Sequence, residues 1–270
     1  MRQKAPKEIF MKKSNRIVVI TGASQGIGKA TLELFGKRGD TVYDLSRTSG
    51  TDITDAKAVR EFFEKIHAEH GRIDVLINNA GYGISGSAEC TRPEDIQKMF
   101  NVNFVGLATC CSTVLPYMRA QKKPRPLIIN ISSVAAVYAL PFQSFYSASK
   151  SAVTGYTNAL RTEIKPFKIR ACSVLLGDVK TNFTNSRKKN ENDDPVYETK
   201  FKRAMKRYEA DETKGYSSEF VARKLYKLSR RKKNPKPIVT FGIMFKFLVF
   251  LNRILPFRFM NWMVGKVYKQ

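Results

Sequence analysis

The sequence predicts an α/β fold built on a parallel β-sheet. Short, continuously apolar runs rich in β-branched residues, as found in strands buried on both faces, alternate with longer stretches of helical periodicity. The first run passes through a glycine-rich turn straight into a helix. At 270 residues the chain suits one large α/β domain or two small ones, with ample material for a core.

The elements follow in order. Residues 16–21, RIVVIT, make the first strand. The turn Gly22-Ala23-Ser24-Gln25-Gly26-Ile27-Gly28 leads into a helix to Lys37, with Gly39 as its stop. A helix that starts this way receives a pyrophosphate at its N-terminus. Gly22 permits the tight turn, Gly26 lets backbone approach phosphate, and Gly28 lets helix pack on strand. The second strand, 41–45, ends in Ser46-Arg47, where a carboxylate would suit the ribose hydroxyls of NAD. The forked donors of Arg47 suit a 2′-phosphate instead, which favours NADP(H) over NAD(H). Asp44 faces the same side as Ser46 and keeps NAD(H) open.

Residues 51–55 come too soon after Arg47 for a full crossover helix. Asp52, with Ile53 beside it, is placed to meet an adenine amino group, and Asp55 to cap a helix over 56–67. The strand at 73–77 ends in Asn78-Asn79-Ala80-Gly81, a ligand-facing or strand-bracing loop. A long helix over 94–116 carries Asn103 among Val102, Phe104 and Val105. A buried amide there is either a structural brace or the holder of a water.

The stretch from 128 to 156 carries the chemistry. A strand at 127–131 is followed by Ser133 and by a helix starting near Ser144. Tyr146 and Lys150, four apart, project from one face of that helix. An ammonium one turn from a phenol is expected to lower the phenol pKa, and a serine hydroxyl beside both can hold a substrate carbonyl. Those three residue types at that spacing make a proton-transfer site.

Downstream, 169–175 is another strand, and Gly177, Val179 and Thr181 lie in the turn after it, where a nicotinamide carboxamide could be held. The long charged connection 182–215 reads as a substrate lid with a short helix at 201–207. A capped helix at 217–228 and an edge strand at 237–240 complete the domain. Residues 241–255 and 257–268 are mostly apolar, separated by Pro256, with Lys246 and Arg253 on a narrow polar stripe. Such a helix pair suits packing on its own domain, on another subunit, or in a membrane interface.

These landmarks together resemble the short-chain dehydrogenase/reductase family from about residue 17 to 181. Its cofactor turn, T-G-x-x-x-G-x-G, is matched by residues 21–28, its Asn-Asn-Ala-Gly by 78–81, and its Asn-Val-Asn by 101–103. Its Ser, Tyr and Lys fall on Ser133, Tyr146 and Lys150. The resemblance implies a doubly wound Rossmann sheet in order 3-2-1-4-5-6-7 and hydride transfer with a nicotinamide. It implies that Tyr146 moves the proton, Lys150 also holds the nicotinamide ribose, Ser133 orients the substrate oxygen, and Asn103 anchors a water linking Lys150 to solvent. It adds a dimer or tetramer as the expected assembly. Three departures stand out. Leu176 replaces the usual proline before Gly177, Gln25 stands where many NADP-preferring relatives have a base, and the stretch from Arg47 to Asp52 is short.

Charge and composition bound the rest. Of the net +25, residues 185–270 contribute +14, with 22 Lys/Arg against eight Asp/Glu. Nucleic acid, an anionic membrane or an acidic substrate would each suit that excess, as would plain solubility. No nucleic-acid-reading module accompanies it, so no specific nucleic-acid partner is expected. The four cysteines show neither metal spacing nor a disulfide framework, and no metal is expected. No 18-residue apolar run and no secretory signal occur, so a cytoplasmic protein without a membrane-spanning helix is expected, with peripheral membrane contact through its tail left open beside packing on its own domain or on another subunit. Met11, before two lysines, could serve as an alternative start. The expected layout is a basic tail over 1–15, the catalytic domain over 16–240 and an apolar, basic extension over 241–270. Ser133, Tyr138, Phe142, Tyr146 and Phe183 are the expected substrate contacts. The expected substrate is a steroid- or lipid-like ketone or secondary alcohol. The alternatives are a 3-oxoacyl thioester, its acidic carrier docking on Arg187, Lys188 and Lys189, or a sensor that binds NADP without turnover.

Overall fold

Six parallel strands form the central sheet of the structure, a computed structural model that describes residues 15–121, 125–181, 187–190 and 194–268. The elements run β1 (Ile17–Thr21), α1 (Gly26–Lys37), β2 (Thr41–Leu45), α2 (Ala56–His70), β3 (Val75–Asn78) and α3 (Pro93–Ala120). Then come β4 (Leu127–Ser133), α4 (Ser144–Glu163), β5 (Arg170–Leu176), α5 (Pro195–Thr213), α6 (Ser218–Ser229) and β6 (Ile238–Thr240). The helices α7 (Ile243–Ile254) and α8 (Phe257–Val267) close the described chain.

Successive strand residues alternate between two helical layers, as the twofold period of a strand requires. Ile17 and Val19 face a core shared with α2, α3 and α4, including Phe63, Val114 and Leu160. Val18 and Ile20 face a second core with α1 and α6, including Phe35, Val221 and Leu225. Both strand faces are therefore apolar, which is why the strands read as continuous hydrophobic runs. The doubly wound α/β fold is as expected.

The sheet has six strands where seven were expected. Its order, β2-β1-β3-β4-β5-β6, is the expected one without the outermost strand beyond β2. Chain length explains the loss. After β2, Arg47–Ser49 make a single 3₁₀ turn, and the Thr51 amide bonds back to the Ser46 carbonyl at 2.9 Å. Asp55 then caps α2 by accepting from the Lys57 and Ala58 amides. No crossover fits in that span, so β2 is left as the sheet edge.

Two local devices shape the site. Residues 101–106 of α3 form a π-turn that breaks its regular ladder at Asn103. By length and composition α3 could cross a membrane, but its Leu107, Cys110, Cys111, Val114 and Met118 are buried against the sheet. The glycine turn is held by close backbone packing. Gly22 has φ +67°, and a Cβ there would lie 2.9 Å from the Ala80 Cα. At Gly28 a Cβ would meet the Gly22 carbonyl oxygen, so α1 seats on β1 only without a side chain. Gly28→Ala should therefore lose more than about 2 kcal/mol of stability; the shift of the urea midpoint measures it.

Candidate active site

A cavity of about 1100 Å³ opens at the C-terminal ends of β1 to β5. It sits where the chain switches from winding outward, β1 to β2, to winding the other way, β1 to β3. Ligands of open α/β sheets bind at such a crevice.

The expected catalytic residues meet in one wall. Ser133 ends β4, and its hydroxyl shares a hydrogen bond with the Tyr146 hydroxyl from the first turn of α4. Lys150, one turn further, is 5 % exposed, and its Nζ donates to the Ile131 carbonyl at 3.1 Å. The same Nζ lies 5.9 Å from the centre of the Tyr146 ring. Ser132, which sequence reasoning passed over, pins helix to strand. Its hydroxyl donates to the Lys150 carbonyl at 2.9 Å and lies 2.9 Å from the Thr154 hydroxyl.

The electrostatics differ from expectation. Tyr146 is pushed up to about 12, chiefly by burial, with the Ser133 hydrogen bond and then Arg187 pulling the other way. Lys150 is pushed down to about 8 by burial. The lysine does not lower the phenol in the chain alone, because desolvation outweighs it and its ammonium is turned to a backbone carbonyl.

Asn103 is fully buried and acts as a brace. Its Oδ1 accepts from the Tyr82 amide at 3.0 Å, and its Nδ2 donates to the Tyr82 carbonyl and to Ser149. Both amide hydrogens are spent, and Asn103 does not line the cavity. It closes the turn that carries Gly81 past Lys150: a Cβ at Gly81 would lie 3.0 Å from Asn103 Oδ1 and 3.4 Å from Lys150 Nζ.

The residues expected to bind a dinucleotide line the opposite part of the cavity. Gly22, Ser24, Gln25, Gly26 and Ile27 lie there, as do Ser46, Arg47, Asp52, Ile53, Asn79, Ala80 and Gly81. Gly177, Val179 and Thr181 border the same space; Gly28 lies beneath it. Asn79 ties the turn down by donating to the Thr21 and Gly22 carbonyls. Asn78 instead bonds Asn130 at 2.8 Å across the sheet, a strand brace. The N-terminus of α1 has no side-chain cap and no acidic residue in its first turn. Its amides stay open toward the cavity, which fits a pyrophosphate. Asp44 is engaged elsewhere, accepting from the Ala23 amide at 2.9 Å and the Ser46 hydroxyl at 2.7 Å. Asp52 accepts the Thr54 amide and hydroxyl, which holds its carboxyl below the usual range.

Two expected substrate contacts are corrected or left aside. Tyr138 lines the cavity and donates its hydroxyl to the Leu248 carbonyl of α7. Phe142 does not line it; at φ 58° its ring turns away to pack edge-on against Phe201 at 5.5 Å and Tyr197 at 6.3 Å. It anchors α5 instead. Phe183 lies outside the described residues.

The cavity's outer wall comes from the segment read as a lid, whose expected short helix at 201–207 is part of the longer α5 (Pro195–Thr213), and from the C-terminal extension; sequence reasoning named none of their side chains as lining beyond Phe183. α5 and the segments beside it contribute Arg187, Tyr208, Glu212 and Asp178, while α7 and α8 contribute Met244, Phe245, Leu248, Met263, Val264 and Val267. Arg187 pairs with Glu212. Asp178 is pushed up to about 6, first by burial and then by Asp211 and Glu212. Lys188 and Lys189 pair with Asp95 at 2.7 Å and Glu209 at 3.1 Å. The apolar periodicity of 241–268 was the available signal, yet it could not say what the helices cover.

A doubly wound sheet with an open helix N-terminus facing a Ser–Tyr–Lys wall defines a nicotinamide-dependent oxidoreductase. The short chain dehydrogenase family model matches residues 16–192. A 3-ketodihydrosphingosine reductase of Bacteroides thetaiotaomicron is 42% identical, over 82% of this chain and 86% of that protein. A probable short-chain type dehydrogenase/reductase of Helicobacter pylori, VdlC, is 36% identical over 89% and 93%. Among solved structures, a short-chain dehydrogenase from Streptomyces avermitilis superposes with a TM-score of 0.78 at 25% identity, covering 95% of this chain and 98% of that one. The chain belongs to the short chain dehydrogenase family.

The buried lysine sets a pH signature. Its folded pKa, about 8, lies below its unfolded value of 10.5. Below pH 8 both states are charged and the folded state carries the full desolvation cost; between 8 and 10.5 the unfolded state binds more protons, so stability rises with pH. Lys150→Met removes that dependence. At pH 7 it should be more stable than the parent by on the order of 3 kcal/mol, the gap closing by pH 10.5 in parallel urea titrations.

Proposed function

We propose that the protein reduces a bulky, lipid-like ketone to its secondary alcohol with NADPH. The hydrogen bond between Ser133 and Tyr146, with Lys150 buried one turn on, carries the reading. The nicotinamide, when bound, supplies the hydride. The turn at 22–28 and the first amides of α1 hold its pyrophosphate, and Lys150 its ribose hydroxyls. Burial keeps Tyr146 protonated, so its hydroxyl starts as the donor that reduction needs, delivering a proton to the ketone oxygen. Ser133 orients that oxygen against the phenol. Asn103 holds the Gly81–Tyr82 turn beside Lys150 and acts by positioning.

Preference for NADPH rests on the end of β2. Arg47 is exposed at the cavity edge, with Ser46 and Thr48 beside it. Asp44, the carboxylate that would favour NAD, is already bonded to the Ala23 amide and to Ser46. A 2′-phosphate would meet the Arg47 guanidinium and the exposed Thr48 hydroxyl there, the Ser46 hydroxyl already donating to Asp44.

The substrate class rests on the cavity's two characters. Tyr138, Leu140, Leu248, Met263 and Val264 make one side apolar, while Asp178, Arg187 and Glu212 make another polar. An amphipathic ketone with a polar head and a hydrocarbon body suits both, consistent with a relative named for a sphingoid ketone. A neutral steroid would set hydrocarbon against that polar side. Docking of an acidic carrier on Arg187, Lys188 and Lys189 finds all three engaged in ion pairs.

Tyr146→Phe should lower turnover by about a thousandfold while NADPH fluorescence titration shows binding intact; equal turnover would remove Tyr146 from the chemistry. Arg47→Ala should raise KM for NADPH at least about tenfold and leave that for NADH within about twofold. In a panel of 3-ketodihydrosphingosine, a steroid ketone and a 3-oxoacyl thioester, the first should show the highest kcat/KM.

A further inference from the structure

The two C-terminal helices have opposite faces with different surroundings. Inward, Phe245, Val249 and Met260 are buried, and the Phe245 ring covers Gly177 so closely that a Cβ there would collide with it. Outward, Ile243, Phe247, Phe250, Phe257 and Trp262 are 55–86 % exposed. Nine of the twelve large apolar side chains exposed among the described residues belong to these two helices. That is a concentrated patch, not scattered surface.

Its charge points to the occupant. Residues 241–270 carry five Lys/Arg and no Asp or Glu. Lys246, Arg253, Arg258 and Lys266 are exposed around the apolar face. A second copy docking patch to patch would set these cations against one another. An anionic lipid surface pairs with them, each basic residue near the headgroups adding to the attraction. The helices are 12 and 11 residues long, roughly 18 Å each against the ~30 Å of a bilayer core, so they lie in the interface.

The patch adjoins the cavity. Met244 and Val267 both line it and are about half exposed, so its rim runs along the lipid-facing side of the helix pair. We propose that α7 and α8 dock the protein on an anionic membrane leaflet and that the ketone enters the cavity from the bilayer past this rim. The route rests on the lipid-ketone reading above; the docking does not.

The test uses the full chain with vesicles of phosphatidylcholine containing about one third phosphatidylglycerol. The parent should pellet with them, less with pure phosphatidylcholine, and less again at high salt. The triple variant Phe250→Ser, Phe257→Ser, Trp262→Ser, none of which lines the cavity, should lose on the order of tenfold or more in partitioning. It should keep parental turnover of a short, water-soluble ketone and lose about tenfold on a long-chain ketone embedded in vesicles. If that variant fails to fold, Lys246→Glu, Arg253→Glu, Arg258→Glu should show the same split. Docking is overturned if the parent does not pellet, if anionic lipid makes no difference, or if either folded variant pellets like the parent. It is equally overturned if sedimentation velocity shows a dimer that the triple variant dissociates and vesicles do not bind. The route is overturned if a variant that no longer pellets still turns over the embedded ketone at the parental rate. Pelleting without turnover of any ketone would sink the functional reading and leave docking standing.

Discussion

The site depends on the clamp between β4 and α4. Ser132 fastens the helix backbone to the strand end, and Lys150 turns its ammonium onto the Ile131 carbonyl. Those two bonds set the depth and rotation of the helix, so Tyr146 arrives beside Ser133 and not over solvent. The arrangement is costly. An ammonium that is 5 % exposed, with a peptide carbonyl as its hydrogen-bond partner, is poorly compensated, which is why its pKa falls. Strain of this kind is tolerated at a functional site when surrounding packing holds it in place, and here Val153 and Leu160 anchor the same helix in the core.

A second constraint governs the other half of the cavity. The strand-to-helix turn has no space for side chains at Gly22 and Gly28, and Asn79 closes over it from β3. Thr21 bonds the Asn79 and Ala80 amides at 3.0 and 2.9 Å. The turn and the Asn-Asn-Ala-Gly loop are thus one unit, and the amides of α1 are left facing the cavity without a cap. Open donors at one end and a buried proton donor at the other give the cavity its polarity. The C-terminal helices then supply an apolar outer wall to a site otherwise built from polar parts.

Much of this was legible in the chain because it is local. The Gly-x-x-x-Gly-x-Gly spacing, the Asn-Asn-Ala-Gly loop and the Tyr-to-Lys interval each encode a backbone geometry within a few residues. The shortness of 47–52 even signalled that a crossover would not fit, although seven strands remained the expectation. What could not be read were relations across the chain. Phe142 looked like a substrate contact by proximity to Tyr146, but its left-handed backbone turns the ring to α5. Arg187 looked like a lid cation open to an acidic carrier, and instead is buried in the cavity wall and paired with Glu212. Asn103 left two roles open, and its three side-chain bonds favour the brace.

By itself the sequence determined the parallel α/β fold and singled out the glycine turn and the Ser133, Tyr146 and Lys150 set that the structure brings to one cavity, since periodicity and short spacing act over one or two turns of backbone. Only the tertiary structure decided which groups are dry and which elements meet. Desolvation moved Tyr146 upward and Lys150 downward, against the expectation from their pairing alone, because burial is set by every neighbouring element together. It also decided that the apolar tail, whose first helix begins 97 residues beyond Tyr146, closes the same cavity, a contact that exists once the sheet has placed Gly177 beneath Phe245.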